Sequence, residues 1–403
     1  MKQIKFPWGA WYGDSEKTLL IPGNPQIDVA EIPKNLALSS QEIKKTLTPF
    51  FKNIDSQKHK NVVVVIDDLT RPIKLEPLFE AITNIFRYEN IENDSVKVLI
   101  GLGGHREFTE EDLVKKIGKK AVTQFQWFNH NPLSNLAKLQ LEWKDTPVEL
   151  NEHFVSADYR IIISCLVPHS FAGFSGGAKM LFPGIANFEM IKRTHKSVMM
   201  GFMGKLGETE NNRFRIEIEE LTRQIGVDLF IGLVGNQDRE IIELFCGDVV
   251  EAHRKAANYA KNYYTANIES ELYDMIVLNA FPKDTELLQL ENAFIPLLSA
   301  SDKLVKDNGF VLVTSACSEG IGHHALFGPD KPLYRKPLPK RFLTDYNVLF
   351  YSENIDEQEF TKIFWEGYRF YSDESKLNNY LQNSLTRSPK ILVFPYASIQ
   401  MVG

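Results

Sequence analysis

The sequence predicts an α/β protein with two domains whose sheets are mostly parallel. Short, almost entirely apolar segments rich in β-branched residues alternate with segments of helical periodicity, and loops rich in glycine or polar residues follow the apolar segments. A strand that is apolar on both faces is typical of a parallel sheet covered by helices on both sides. The 403 residues, of which 43% are hydrophobic, are enough for more than one core.

Both halves of the chain show this order of elements. We predict strands over 62–66, 96–100, 160–165 and 228–234, and again over 274–278, 310–314, 348–351 and 391–394. Thr109 and Asp112 have the spacing of a capping box, which predicts that a helix begins after Thr109. A helical stretch over 252–264 closes the first half, so we expect one domain over 1–270 and a second over 271–403.

The composition argues against several classes of protein. The 52 acidic residues outnumber the 46 basic ones, so the chain lacks the basic excess typical of proteins that bind nucleic acid or anionic membranes. The amino terminus has no apolar core of signal-peptide length, and the run 62–66 is too short to span a bilayer, so we expect a cytoplasmic protein. Three widely spaced cysteines without a CxxC motif argue against a disulfide framework or a cysteine zinc site.

Two loops that follow predicted strands carry reactive side chains, and open parallel sheets bind ligands in such loops. In the first, Asp67-Asp68-Leu69-Thr70-Arg71-Pro72, the guanidinium could bind a substrate carboxylate or a phosphate. The same residues also suit an ordinary turn, with Asp and Thr capping the next element. The second loop, 101–106, presents His105 after two glycines, either as a general base or as a structural histidine. It lacks the third glycine of a GxGxxG fingerprint.

The third loop, residues 169–186, is the richest, and we call it the glycine-rich loop. Gly173, Gly176 and Gly177 free the backbone so that amide groups can converge on an anion, although the spacing is not that of a Walker A motif. Lys179 lies among apolar neighbours, where a charge is costly to bury. Either it bonds to a substrate or cofactor, or its ammonium group reaches solvent along an apolar surface.

His195 follows this loop in a helical segment and has no neighbouring histidine or cysteine ligand. Zinc that is bound by protein alone takes three or four side chains, which this region does not supply. If a metal binds at His195, a non-protein group must therefore provide most of its ligands.

Together these segments resemble the nickel-dependent lactate racemase family, whose members racemise or epimerise 2-hydroxyacids with a nickel-pincer nucleotide. The DDLTRP, GGHR and HSFAGFSGGAKMLFPGIA segments and the later histidine occur in the family's order. Lys179 follows His169 by 10 residues and precedes His195 by 16, which agrees with the family's spacing. Softer similarity continues in 247–253 and 317–322.

The resemblance implies roles for the cofactor-binding residues. Lys179 would form a thioamide with the cofactor, the nickel complex of pyridinium-3,5-bisthiocarboxylic acid mononucleotide. His195 would be the only nickel ligand from the protein, beside two sulfurs and one carbon of the pincer, and such soft donors with an imidazole suit nickel. Asp68 or Thr70 would orient the cofactor or a base. The nucleotide phosphate would be cradled by the glycine-rich loop through Gly173, Ser175, Gly176 and Gly177.

The resemblance also implies an isomerase with its active site in the cleft between two domains. His105 and His169 would act as acid and base on opposite faces of a 2-hydroxyacid substrate, because inversion at C2 needs a base on each side. Arg71 would hold the substrate carboxylate, and Gln289 would add contacts from the second domain. The enzymes that make the cofactor would be the partners of this chain.

One departure from the family bears on the substrate. The family has a Tyr-Gln pair followed by a lysine where this chain has Leu288, Gln289 and Asn292. Loss of a cation weakens a clamp for lactate, so we expect a longer, bulkier or more hydroxylated 2-hydroxyacid. Two alternatives remain open at this point: a catalytically idle protein that binds or carries the cofactor, and an unrelated α/β enzyme that binds a nucleotide.

Overall fold

A computed structural model describes residues 2–52, 54–199, 204–269 and 271–403, and the chain forms two compact α/β units. One unit is Pro33–Asn262; the other combines Met1–Ile32 with Tyr263–Gly403. The predicted α/β class with mostly parallel sheets is confirmed. Among the described residues, no helix combines the length and the apolar character that crossing a membrane requires.

The structure corrects the predicted assignment of residues 1–32 to the first domain. These residues form strands β1 (Lys2–Trp8), β2 (Ser15–Ile21) and β3 (Gln26–Val29). Strands β1 and β2 form an antiparallel hairpin, and β3 lies at the edge of the sheet built by the carboxyl-terminal residues. Apolar residues alternate along β1, so Ile4, Phe6 and Trp8 are buried in the core of that sheet.

The unit Pro33–Asn262 surrounds one six-stranded sheet. Its helices are α1 (Ser40–Phe51), α2 (Glu76–Tyr88), α3 (Glu110–Ile117), α4 (Lys119–Gln124), α5 (Glu152–Val155), α6 (Phe188–Met199), α7 (Arg213–Ile225) and α8 (Glu251–Tyr264). Its strands are β4 (Val62–Asp67), β5 (Val96–Gly101), β6 (Gln126–Asn129), β7 (Leu136–Trp143), β8 (Thr146–Asn151), β9 (Tyr159–Cys165), β10 (Pro168–His169), β11 (Gly173–Phe174), β12 (Leu229–Gly235) and β13 (Ile241–Gly247).

The order of this sheet is β13-β12-β9-β4-β5-β6, and only β13 runs antiparallel to its neighbour. Every residue of β4 is buried, as its uninterrupted valine run predicts. The capping box of Thr109 and Asp112 begins α3, as predicted. Because the chain proceeds from β4 to β5 on one side and places β9 on the other, the sheet order reverses between β4 and β9. Ligands of open α/β sheets bind at such a reversal, beyond the carboxyl ends of the strands.

The second unit has its own six-stranded sheet, which is parallel throughout, in the order β18-β17-β16-β15-β19-β3. Met275 and Val277 face one apolar core, while Ile276 and Leu278 face the other, as expected for a strand covered on both sides. The elements of this part of the chain are β14 (Thr265–Ala266), β15 (Tyr273–Asn279), α9 (Ile295–Ser299), β16 (Val305–Thr314), β17 (Asn347–Tyr351), α10 (Glu357–Ile363), β18 (Arg369–Tyr371), α11 (Glu374–Ser384), β19 (Lys390–Phe394) and β20 (Met401–Val402).

Candidate functional site

The three loops that the sequence singles out meet at the carboxyl ends of β4, β5 and β9. The Asp67 carboxylate, at the end of β4, accepts a hydrogen bond of 2.7 Å from the Cys165 amide at the end of β9. The amide of Gly103, after β5, donates to the Gly184 carbonyl of the glycine-rich loop at 2.8 Å. These two hydrogen bonds tie the three loops to one edge of one sheet.

Asp68, Thr70 and Arg71 form a connected chain of polar groups after β4. Oδ1 of Asp68 accepts from the Thr70 amide at 2.9 Å and from the Thr70 hydroxyl, while Arg71 Nη1 donates to that hydroxyl at 2.8 Å. Asp68 and Thr70 therefore form a local turn, but they do not cap the next helix, because α2 begins after Leu75 without a side-chain cap. The guanidinium of Arg71 is oriented through Thr70, as a group that recognises carboxylate needs to be.

His105 lies beside the same carboxylate. Its Nδ1 is 3.6 Å from Asp68 Oδ2, and the histidine side chain is 20% exposed while that of the aspartate is 7% exposed. Burial by itself would raise the pKa of Asp68, but His105, Arg71 and the Thr70 hydroxyl together lower that pKa below its ordinary value. Asp68 is therefore ionised at neutral pH. It can orient His105 and stabilise a proton on its ring.

Lys116 stabilises the loop that follows β4, and the sequence analysis did not identify it. This α3 side chain is fully buried, and its Nζ lies 2.7 Å from Asp67 Oδ1 and donates to the carbonyls of Asp68 at 3.0 Å and Arg71 at 2.7 Å. No local pattern marks Lys116, because it lies 48 residues from Asp68 and looks like one of two ordinary lysines in the last turn of α3.

Replacing Lys116 with methionine should lower the free energy of unfolding by about 3 to 5 kcal/mol, because the buried Asp67 carboxylate loses its cation. The double variant Asp67→Asn/Lys116→Met should lose clearly less than the sum of the two single variants. Urea unfolding of the four proteins measures this coupling. Additive losses would contradict a coupled buried pair.

His169 and Lys179 form the second polar pair. The ring Nδ1 of His169 accepts from the amides of Phe171 at 3.2 Å and Ala172 at 3.4 Å, and its Nε2 lies 3.0 Å from Lys179 Nζ. The ring nitrogen opposite these amides, Nε2, thus faces Lys179.

The glycine-rich loop needs its glycines at the positions that sequence analysis names. Gly173, Gly176 and Gly177 have φ of 74°, 77° and 62°, a region that favours glycine. A Cβ on Gly173 would lie 1.9 Å from the Glu208 carbonyl oxygen, and one on Gly177 would lie 2.7 Å from the His253 ring. The chain therefore passes too close to its supporting elements for any side chain at these positions.

Ser175 does not fit its predicted role as a cofactor ligand. Its hydroxyl donates to the Cys165 carbonyl at 2.6 Å and accepts from the Val167 amide at 2.9 Å. Its own amide donates to the Val167 carbonyl, and its carbonyl accepts from His253. All of its polar groups face the protein interior, so Ser175 stabilises the loop.

His195 lies on α6 with one ring nitrogen held by the helix. Nδ1 donates to the Ile191 carbonyl at 2.7 Å, so the lone pair of the neutral ring is on Nε2. Burial lowers the pKa of His195 to about 4, the Ile191 carbonyl opposes this shift, and nearby Lys179 and His105 add to it. Among the described residues, no group of three or more His, Cys, Asp or Glu side chains could hold a metal ion.

His130 is a further buried histidine that sequence analysis did not single out. Its Nε2 donates to the Ala186 carbonyl at 2.8 Å, and its Nδ1 lies 3.4 Å from the Asn151 side-chain nitrogen. It therefore anchors the end of the glycine-rich loop. Burial lowers the pKa of His130 to about 4 despite that carbonyl, so the ring is neutral at physiological pH.

Acid should weaken the fold partly through His130. In the unfolded chain His130 binds a proton below its ordinary pKa of 6.5, whereas in the folded protein the ring stays neutral down to about pH 4. The free energy of unfolding therefore falls as the pH drops through this window. We expect the variant His130→Gln to lose about 2 kcal/mol less than the parent between about pH 7.5 and about pH 5. Urea unfolding at both pH values measures this difference, and parallel losses in the two proteins would contradict it.

Gln289 belongs to the other unit, in a 3-10 helix over Leu287–Phe294. Asn292 Nδ2 donates to the Gln289 side-chain oxygen at 3.1 Å and to its backbone oxygen at 2.8 Å. The Gln289 amide therefore keeps its NH₂ group as the donor that remains for a ligand. Leu288 beside it is half-buried.

Comparisons with known proteins agree on one family. Residues 12–204 match the family model described as the lactate racemase N-terminal domain. The chain is 25% identical to the lactate racemase of Thermoanaerobacterium thermosaccharolyticum over 66% of its own length and 62% of the relative's, so the match spans less than two thirds of that enzyme. It is 24% identical to the lactate racemase of Lactiplantibacillus plantarum over 77% of each chain.

Solved structures show the same fold. The lactate racemase apoprotein from T. thermosaccharolyticum superposes with a TM-score of 0.73 at 21% identity, covering 100% of both chains. A protein from Thermotoga maritima superposes with a TM-score of 0.70 at 17% identity, covering 92% of this chain and 99% of its own. The family model and the curated relatives agree: residues 12–204 match the lactate racemase N-terminal domain, and the chain is similar to lactate racemases.

Proposed function

We propose that this protein is a racemase or epimerase that inverts C2 of a 2-hydroxyacid other than lactate. The observation that carries the proposal is a pair of histidines, His105 and His169, in two different loops at one sheet edge. Each imidazole has its own partner for Nδ1, the Asp68 carboxylate in one case and two backbone amides in the other. The two lactate racemases among the relatives support the same class of reaction.

Inversion at C2 assigns complementary work to these side chains. Arg71, oriented by Thr70, would bind the substrate carboxylate and fix the position of C2. One histidine would take the 2-hydroxyl proton from one enantiomer, and the other would return a proton when the opposite enantiomer forms. The Asp68 carboxylate lies beside His105, whereas two backbone amides donate to Nδ1 of His169. The two proposed bases thus differ in the groups that face Nδ1.

The residues around Lys179 and His195 fit a nickel-pincer nucleotide. When bound, this group would supply reversible acceptance of the substrate's C2 hydride. His195 offers one neutral nitrogen, and the described part of the chain has no cluster of protein ligands beside it, as expected if the group brings its other donors. Lys179 would provide the covalent link. Gly173, Gly176 and Gly177 let the loop pack closely against its supporting elements, and the nucleotide phosphate would bind to the backbone of this loop.

The substrate proposal rests on the family position that Asn292 occupies. Where the family has a lysine, this chain has the uncharged Asn292. Its side-chain amide donates to Gln289, so the two side chains form an uncharged pair. An amide N–H group suits a hydroxyl or carbonyl oxygen of a longer substrate. It lacks the positive charge that a second contact to the substrate carboxylate would use. We therefore expect preference for a longer, bulkier or more hydroxylated 2-hydroxyacid.

The proposal is tested by measuring inversion at C2. The protein is first co-expressed with the enzymes that make the cofactor, and we propose these enzymes as its partners. Cofactor-loaded protein is incubated with a panel of single-enantiomer 2-hydroxyacids, including lactate, and chiral chromatography follows inversion at C2. We expect inversion of at least one longer acid faster than lactate. Fastest turnover of lactate would refute the substrate proposal. Silence across the panel with nickel present would refute the enzyme proposal and favour a carrier.

A further inference from the structure

The glycine-rich loop is held by a second set of side chains that the proposed function does not use. All six consecutive carbonyls from residue 171 to residue 176 accept a hydrogen bond from the segment 207–253. Their donors are Asn212 Nδ2 to Phe171 at 2.7 Å, Arg215 Nε to Ala172 at 3.2 Å, the Gly207 amide to Gly173 at 3.1 Å, Arg215 Nη2 to Phe174, His253 Nε2 to Ser175 at 2.9 Å and Arg215 Nη1 to Gly176 at 2.8 Å.

Arg215 is the centre of this arrangement. It lies on α7, is fully buried, and uses all three guanidinium nitrogens on three carbonyls of one short loop. A guanidinium presents its donors in a rigid planar fork, which a lysine cannot reproduce. Burial of such a cation is costly unless its hydrogen bonds are made, so its position and the shape of the loop determine each other.

The geometry of the peptide unit connects these carbonyls to the proposed catalytic groups. In a planar trans peptide the carbonyl and the following amide point in opposite directions. The Phe171 carbonyl that Asn212 holds therefore directs the Ala172 amide toward Nδ1 of His169. At the other end, the Gly176 carbonyl that Arg215 holds also accepts from the Lys179 amide at 3.3 Å.

We propose that Arg215, with Asn212 and His253, is a positioning residue that holds His169 and Lys179 in contact. This inference rests on the proposed function only for the catalytic roles of His169 and Lys179. Their contact is present in the chain without cofactor. His253 contributes as a neutral donor, since burial lowers its pKa well below the ordinary value. Arg215 touches neither substrate nor cofactor in this role.

The test follows the reactivity of Lys179 in protein without cofactor. Variants Arg215→Met and Arg215→Lys are compared with Arg160→Met, a matched control. Arg160 also donates to several carbonyls, those of Phe154, Val155, Ile225 and Gly226, but at the opposite end of β9. Limited acetylation with peptide mass spectrometry gives the rate at Lys179 relative to the exposed Lys138. Urea unfolding records the stability of each protein.

We expect both Arg215 variants to change the Lys179 to Lys138 ratio by about fivefold or more, as for loss of a directing hydrogen bond, and Arg160→Met to leave it unchanged. If Arg215→Met does not fold, Arg215→Lys and His253→Phe carry the test, with His253→Gln restoring the ratio because it keeps a donor. Equal shifts in the Arg215 and Arg160 variants, or no shift in either, would overturn the proposal. Neither result touches racemisation by the parent protein, which tests the proposed function separately.

Discussion

Replacing either His105 or His169 with glutamine is expected to lower racemisation in both directions by about 10²- to 10⁴-fold, the usual contribution of a positioned acid or base. Both directions fall together because each full turnover uses both rings, one to remove a proton and the other to return one. Glutamine keeps a polar side chain of similar reach, so the loss reports on proton transfer. Initial rates with each pure enantiomer measure the effect.

The two variants should differ in their half reactions. A protein that retains one base can still oxidise the enantiomer that faces this base, so acid quenching should recover bound 2-oxoacid from one enantiomer only. The preferred enantiomer should be opposite in His105→Gln and His169→Gln. His153→Gln is a suitable control, because His153 is half-buried against Phe128 and outside the three loops. The same enantiomer preference in both variants would contradict two opposed bases.

Variants at Lys179 and His195 should affect the covalent link and the bound metal differently. In protein co-expressed with the cofactor-making enzymes, Lys179→Ala should lose all added mass at this position. His195→Ala should keep the mass on Lys179 and lose most of its nickel, because the imidazole is the ligand that the protein is expected to supply. Intact-mass and metal analysis of the same samples distinguish the two effects.

The exposed Lys138 supplies the matched control, since Lys138→Ala should keep both the added mass and the nickel. Persistent mass in Lys179→Ala would place the link elsewhere. Undiminished nickel in His195→Ala would mean that the protein holds the metal through other groups. Either result would require a different arrangement of the cofactor, while leaving the two-histidine prediction to be judged by its own measurement.

Local features of the fold were predictable from the sequence. Strands β4, β5, β9 and β12 follow from short, mostly apolar runs, and the start of α3 follows from Thr109 and Asp112. Strands β1 to β3 were not predicted. Strands β1 and β2 pair with each other, whereas β3 pairs with β19 in the carboxyl-terminal part of the chain. A strand at the edge of a sheet is short or amphipathic, and its assignment to a sheet depends on residues hundreds of positions away.

The sequence by itself determined the α/β class and the candidate site residues: His105, His169, Lys179 and His195 stand in recognisable loops after buried strands or in the helical segment that follows them. These signals are local, since they depend on neighbours within one loop or one turn of helix. Only the tertiary structure decided how the loops are held. Lys116 and Arg215 act on residues about 40 positions or more away, and Ser175 turns out to face inward. Buried polar groups need partners, and packing decides which distant carbonyl or carboxylate becomes that partner.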